Sequence, residues 1–361
     1  MRAILTAAVL ALAACGEPGT TSAAEPGVAT PATTSTTGLD AATMRDVIAR
    51  AETLPQLNAL VVMRGGELLV AQRINNGAPL QQPVNIKSAS KSVLSALVGI
   101  AIERGVLDGV EQPVLSVLGA EAPVDPDPRL AQLTVGHLLS MRAGLERTSG
   151  PNYGAWVSSP SWVRYALSRP FVDEPGGQML YSTGSTHLLS AMLTRASGRS
   201  TYELAQDWLA EPLGIAIPRW PADPQGIFFG GNDMLMSPLA LARFGELYRL
   251  GGVIDGRQVV PAEWIEQSWQ GRTRSPWSSE QYGYGWFSSE ARGHPLHFGW
   301  GYGGQMLFII PALDLTVVMT SDTDVQRGSS HLAELRSLLA NGIVPAAEVG
   351  GTFRLSEVSG T

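Results

Sequence analysis

Apolar positions first recur at helical spacing from residue 44. Met44, Val47, Ile48, Ala51 and Leu54 share one face, and Asp40 ahead of them is a good N-cap, so a first helix is expected from there. Residues 60–63 and 67–71 flank Arg64-Gly65-Gly66 and predict a β-hairpin. Val93, Leu94, Leu97, Ile100 and Ala101 then mark an amphipathic helix ending at Arg104-Gly105. Residues 106–250 read mainly as helices and loops. Thr134 caps residues 135–141, Ser185 opens a helix to Ala196, Ser200 with Glu203 forms a capping box for a helix stopping before Pro212, and Ser237-Pro238 opens one that ends at Gly251-Gly252. The pattern then returns to strands: a hairpin over 253–260, followed by 282–288, 296–300, 305–310 and 315–320, with a closing helix over 330–339. This order predicts an α+β fold. An antiparallel sheet is assembled from both ends of the chain, flanked by helices, with an all-helical lobe (about 106–250) inserted between them. Clefts between such lobes favour small substrates.

Composition narrows the classes. Of 361 residues, 44% are hydrophobic and 16% charged, which is ordinary globular composition. The net charge of −7, with no long run of either sign, gives no basic face for nucleic acid. Five scattered histidines and one cysteine supply neither a disulfide framework nor a metal ligand set, and no cofactor is implied.

The cysteine is informative through its position. Arg2 is followed by an apolar stretch over residues 3–12, too short to span a bilayer, and then by Leu12-Ala13-Ala14-Cys15-Gly16. This segment resembles the lipobox of bacterial lipoproteins. The resemblance implies that residues 1–15 are a lipoprotein signal with its lipobox, cut before Cys15, with lipidation of that cysteine and export with anchoring to a bacterial membrane of the cell envelope. An ordinary secretory signal cut near the same small residues is the alternative. Residues 16–39, rich in Gly, Ala, Pro, Ser and Thr, read as a disordered tether, and residues 346–361 as a loose tail.

The chain has only two lysines, Lys87 and Lys91, against 23 arginines. Arginine stays protonated, whereas a buried lysine amine can lose its proton and act as a base. Lys91 follows Ser88 by three residues, in Ser88-Ala89-Ser90-Lys91, which puts both side chains on one face at a helix start. A serine one turn before a lysine is a minimal acyl-transfer nucleophile, and the helix N-terminus favours developing negative charge.

Two further motifs join it: Tyr181-Ser182-Thr183, and His297-Phe298-Gly299-Trp300-Gly301-Tyr302-Gly303-Gly304-Gln305 before an apolar strand. Together they resemble the serine hydrolases of the β-lactamase and penicillin-binding superfamily, close to the class C β-lactamase, esterase and 6-aminohexanoate-oligomer hydrolase branch, over roughly residues 42–340. The resemblance implies one hydrolase domain over 40–345, with Ser88 as nucleophile, Lys91 as base and Tyr181 as proton relay. Lys91 is expected to lower the Tyr181 pKa. Thr183 stands where the family has asparagine, and no third lysine exists for a Lys-Thr-Gly strand, which ranks β-lactams and peptidoglycan stems below esters and linear amides. Tyr302 and Gly303 are expected near the oxyanion, with Thr183, His297, Trp300 and Trp156 at the substrate. β-Lactamase or DD-carboxypeptidase activity, or a catalytically silent surface receptor on this fold, are the alternatives. Sequence leaves the oligomeric state open. Gly299, Gly301 and Gly304 also fit a dinucleotide fingerprint, but a strand follows them rather than a helix. His137 reads as structural.

Overall fold

The computed structural model describes residues 38–278, 280–323 and 330–353. The expected signal and Cys15, and nearly all of the expected tether, lie outside the described residues. Asp40 caps helix α1 (Ala41–Glu52) by accepting from the Thr43 N–H at 2.8 Å. The hairpin of β1 (Leu57–Arg64) and β2 (Glu67–Arg73) follows, turning at Gly65 and Gly66. Helix α2 (Ser90–Glu103) then runs into the helical region, which includes α3 (Thr183–Ser197) and α4 (Pro238–Arg249). The chain returns as β3 (Thr273–Arg274), β4 (Gln281–Tyr282), β5 (Phe287–Ala291), β6 (His294–Gly301), β7 (Gln305–Ile310) and β8 (Leu315–Ser321), then α5 (His331–Leu338).

These strands form one antiparallel sheet in the order β2-β1-β8-β7-β6-β5-β4-β3. The two ends of the chain meet where β1 pairs with β8, Val61 opposite Val318. Side chains alternate across the sheet. Val61, Leu307, Ile309 and Val318 face the core shared with α2 and the helical region. Leu60, Val62, Met306, Phe308, Val317 and Met319 face a second core built with α1 and the C-terminal helices. Burial on both faces explains why residues 305–310 read as a continuous apolar run rather than an alternating one.

Several boundaries move. Leu39, placed in the expected tether, is fully buried and bridges to Phe353. Helical structure continues past Leu338 through a π-turn (Leu339–Ile343) into Val344–Val349, and Ala346, Ala347 and Phe353 are buried. The ordered domain therefore begins before residue 40 and extends beyond 345 into the expected tail. The helix opened by the Ser200–Glu203 capping box does not stop before Pro212. It passes through a π-turn (Gln206–Ala210) and ends at Gly214, at φ +60°. Pro212 lies in the first turn of the final segment, where its missing N–H costs little. A helix over Ala262–Trp269 fills the stretch between the 253–260 hairpin and the strands from 282, where no element is expected from the sequence.

Candidate active site

Ser88 stands not in α2 itself but in the single 3₁₀ turn (Lys87–Ala89) leading into it. Lys87 has φ +49°, an uncommon conformation for a side chain other than glycine. Three contacts hold it there. Its N–H donates to Asn85 Oδ1 at 2.8 Å, its carbonyl accepts from Ser90 Oγ at 2.5 Å, and its ammonium pairs with Asp233 Oδ1 at 3.1 Å. The second lysine is thus a structural anchor for the turn that carries Ser88.

Lys91, on the first turn of α2, is 2% exposed. Its Nζ lies 3.2 Å from Ser88 Oγ, 2.8 Å from the Gly231 carbonyl oxygen and 3.4 Å from Thr183 Oγ1. Burial pulls the amine down to about 7, against the opposing pull of Asp233. Gly231 has to be glycine. It sits at φ +71°, and a Cβ there would come within 2.7 Å of Lys91 Cγ.

The Tyr181 ring centroid lies 4.9 Å from Lys91 Nζ. Its phenol departs from the sequence expectation: burial pushes it up to about 12, with a hydrogen bond to Ser88 opposing. Loss of hydration around the phenolate outweighs any help from an amine that, held near 7, is already neutral in the range where a phenol ionises. Thr183 opens α3 and is tied to Ser149, whose Oγ accepts from the Thr183 N–H at 2.9 Å and lies 3.1 Å from Thr183 Oγ1.

The opposite wall is β6. A Cβ on Gly301 would stand 2.2 Å from the Ile86 carbonyl oxygen, so glycine lets this strand touch the Ser88 turn. β5 pairs with β6 only as far as Phe298, which leaves the edge beyond it next to Ser88 uncovered by β5. Tyr302 and Gly303 lie on the turn after the strand rather than within it, and line the cleft with Trp300. The cleft has a volume of about 760 Å³ and is also walled by Tyr153, Trp277, Phe287, Leu332, Asn232 and Asp233.

Two expected substrate contacts are elsewhere. His297 points away from the cleft, stacked on Trp269 with ring centroids 4.1 Å apart and Nδ1 2.8 Å from Ser288 Oγ. Strand alternation puts its side chain on the opposite face from Phe298. Burial lowers its pKa to about 4. Trp156 is fully buried against Trp162, His187 and Phe229, its indole N–H donating to the Trp162 carbonyl. His137 completes a capping box with Thr134, as a structural residue would. Sequence reasoning missed Ser149, Gly231, Asn232 and Asp233. The signal available was Gly230-Gly231-Asn232-Asp233 directly after two phenylalanines.

Comparison with known proteins gives the family. The family model described as Beta-lactamase matches residues 51–341. The chain belongs to the beta-lactamase family. It is 24% identical over 290 residues to the 6-aminohexanoate-dimer hydrolase of Paenarthrobacter ureafaciens, covering 73% of this chain and 72% of that protein. Among solved structures it resembles EstCE1, a hydrolase with promiscuous acyltransferase activity, with TM-score 0.67 and 17% identity over 83% of this chain and 98% of that one. It also resembles the octameric penicillin-binding protein homologue from Pyrococcus abyssi, with TM-score 0.66 and 19% identity over 86% and 78%. As a family member, the chain is a hydrolase with the α+β architecture of β-lactamases and penicillin-binding proteins.

Proposed function

We propose that this chain cleaves ester or amide bonds through an acyl-enzyme on Ser88. The observation that carries the reading is the Lys91 amine, buried and 3.2 Å from Ser88 Oγ. A neutral amine has two N–H groups and one lone pair. The Gly231 carbonyl can only accept, and Thr183 Oγ1 can accept, so they take the two N–H groups. The lone pair then faces the Ser88 hydroxyl.

Ser88 Oγ attacks the substrate carbonyl carbon and its proton passes to Lys91 Nζ. The negative oxygen of the tetrahedral intermediate is held by backbone N–H groups of Ser88 and of the turn at Tyr302. The bond to the leaving group breaks, and the proton returns through the Tyr181 hydroxyl to the leaving oxygen or nitrogen. Water then attacks the acyl carbon by the same route in reverse and releases Ser88.

The cleft favours an uncharged, largely apolar substrate. Trp277, Trp300, Tyr302 and Phe287 supply its walls, and the charges of Lys87 and Asp233 are spent on each other. A substrate carboxylate would find that lysine already paired. This supports esters and linear amides ahead of β-lactams, and the solved structure described as a hydrolase with promiscuous acyltransferase activity fits the same choice. Intact-protein mass spectrometry after treatment with a fluorophosphonate is the test. One adduct, mapped to Ser88 and lost in Ser88→Ala, is expected; an adduct at another residue in the wild type defeats the assignment. For the amino-terminal segment the proposal is export and lipidation at Cys15. An unmodified mature N-terminus at any other residue removes that anchor.

A further inference from the structure

One buried pair of ionisable side chains takes no part in the chemistry above. His187, on α3, and Asp223 both have fully buried side chains, with Nε2 3.1 Å from Oδ2. The other ring nitrogen, Nδ1, accepts from the Gly230 N–H at 3.3 Å. An imidazole nitrogen that accepts carries no proton. The ring is therefore neutral, and its single N–H, on Nε2, donates to Asp223. Asp223 is itself fixed by the N–H groups of Gln225 and Ile227, which donate to Oδ1 at 2.8 and 2.9 Å. Trp156, Trp162 and Phe229 pack around the imidazole, so the charged group among these neighbours is Asp223.

Gly230 leads directly to Gly231, whose carbonyl meets Lys91. Next to His187, Thr186 Oγ1 shares its one hydrogen between the Gly230 carbonyl at 2.9 Å and the Thr183 carbonyl at 3.0 Å. Both polar groups of Gly230 are therefore held from α3. Two consecutive glycines have wide conformational freedom, and without such ties the Gly231 carbonyl would have no fixed aim. Burying a carboxylate in this aromatic surrounding is costly unless its hydrogen bonds are complete, as they are here.

We propose that the His187–Asp223 pair is a positioning device for the catalytic amine. It fixes the Gly230–Gly231 turn so that the Gly231 carbonyl takes one N–H of Lys91 and leaves the lone pair on Ser88. The inference rests on Lys91 being the base. The order of contacts runs from Asp223 through His187 Nε2 and Nδ1, the Gly230 N–H and the Gly231 carbonyl to Lys91 Nζ and Ser88 Oγ. The titratable groups facing Lys91 are Tyr181 and Asp233, and neither belongs to this chain of contacts.

Two near-isosteric substitutions separate positioning from packing. In Asp223→Asn, the amide oxygen keeps the Gln225 and Ile227 N–H groups and the NH₂ turns toward Nε2. The ring proton is then driven to Nδ1, where it opposes the Gly230 N–H, as in a wrong-tautomer variant. In His187→Asn, the side-chain oxygen takes the place of Nδ1 and still accepts from Gly230, while the contact with Asp223 is lost. The readouts are single-turnover acylation by a chromogenic ester across the acid and neutral range, and melting temperature. Asp223→Asn is expected to lower the acylation rate by about tenfold to a hundredfold. It should also move the acid limb to lower pH, because the Lys91 ammonium loses an acceptor. His187→Asn is expected to keep most of the rate and the wild-type limb despite a lower melting temperature. Equal rates and equal limbs in the two variants, with stability losses alone, would overturn the proposal. Full acylation in Lys91→Ala would instead defeat the base assignment itself, and the proposal with it.

Discussion

Lys91 Nζ lies 3.2 Å from Ser88 Oγ, with 2% of the lysine exposed. Burial brings the amine to about 7, which places a base near ambient pH against the nucleophile. The acylation rate is therefore expected to rise about tenfold per pH unit below pH 7 and to level off above it. Lys91→Arg keeps a cation that does not deprotonate and should lose about 10²- to 10⁴-fold. Stopped-flow acylation with a chromogenic ester measures both. A flat acid limb, or an active arginine variant, contradicts the mechanism.

Tyr181 has its pKa pushed up to about 12 and stays protonated through the neutral range. Its part is to pass protons as a neutral hydroxyl, not as a standing phenolate. Tyr181→Phe should cost about 10²- to 10⁴-fold in turnover while leaving the acid limb near pH 7 in place. Steady-state pH profiles of both proteins decide it, and disappearance of that limb in the variant would point to Tyr181 as the titrating group.

A lysine held near 7 also reports on stability. In the unfolded chain its pKa returns to about 10.4, so between these values the unfolded state binds more protons and stability rises with pH. The penalty is fully present below pH 7 and gone above the unfolded value. Lys91→Met removes it and should stabilise the fold by about 1–2 kcal/mol near pH 6, with the gain falling through zero and reversing to a net loss toward pH 10 as the wild type regains its stability. Urea denaturation at the two pH values is the check; a constant difference would mean that the amine is not titrating in the folded protein.

Trp156 and Trp277 should behave oppositely. Trp156 is fully buried and Trp277, on the cleft, is 49% exposed. Trp156→Ala is expected to cost about 3–5 kcal/mol of stability, as large-to-small core changes do. Trp277→Ala should leave melting nearly unchanged and raise KM for aryl esters by about tenfold, the worth of one aromatic contact. Thermal melts beside KM for an aryl and a short alkyl ester separate the two; a KM effect from Trp156 without loss of stability would return it to the cleft.

Much of the fold was legible because local rules carried it. The Asp40 cap, the Gly65-Gly66 hairpin, the Ser200–Glu203 capping box and the apolar strands over 305–310 and 315–320 each depend on neighbours within a few residues. The readings that failed depended on what lay across the molecule. Pro212 looked like a helix stop, but a π-turn absorbed it. His297 and Trp156 looked like pocket residues by type, yet Trp269 and the Trp162–Phe229 cluster had claimed them.

The site divides the same way. The three-residue spacing of Ser88 and Lys91, and the rarity of lysine, were enough to single out both side chains, because one helical turn fixes their proximity. The state of the amine was not in that spacing. It depends on the Gly231 carbonyl, on Thr183 and on burial, contributed by segments 140 and 92 residues away. Tyr181 shows the limit most plainly: its place by the nucleophile was readable from the motif, while the direction of its pKa followed from desolvation. Sequence determined which groups meet along one turn of helix. Only tertiary packing decided how far water is kept from them, and that exclusion sets which groups can hold or release a proton.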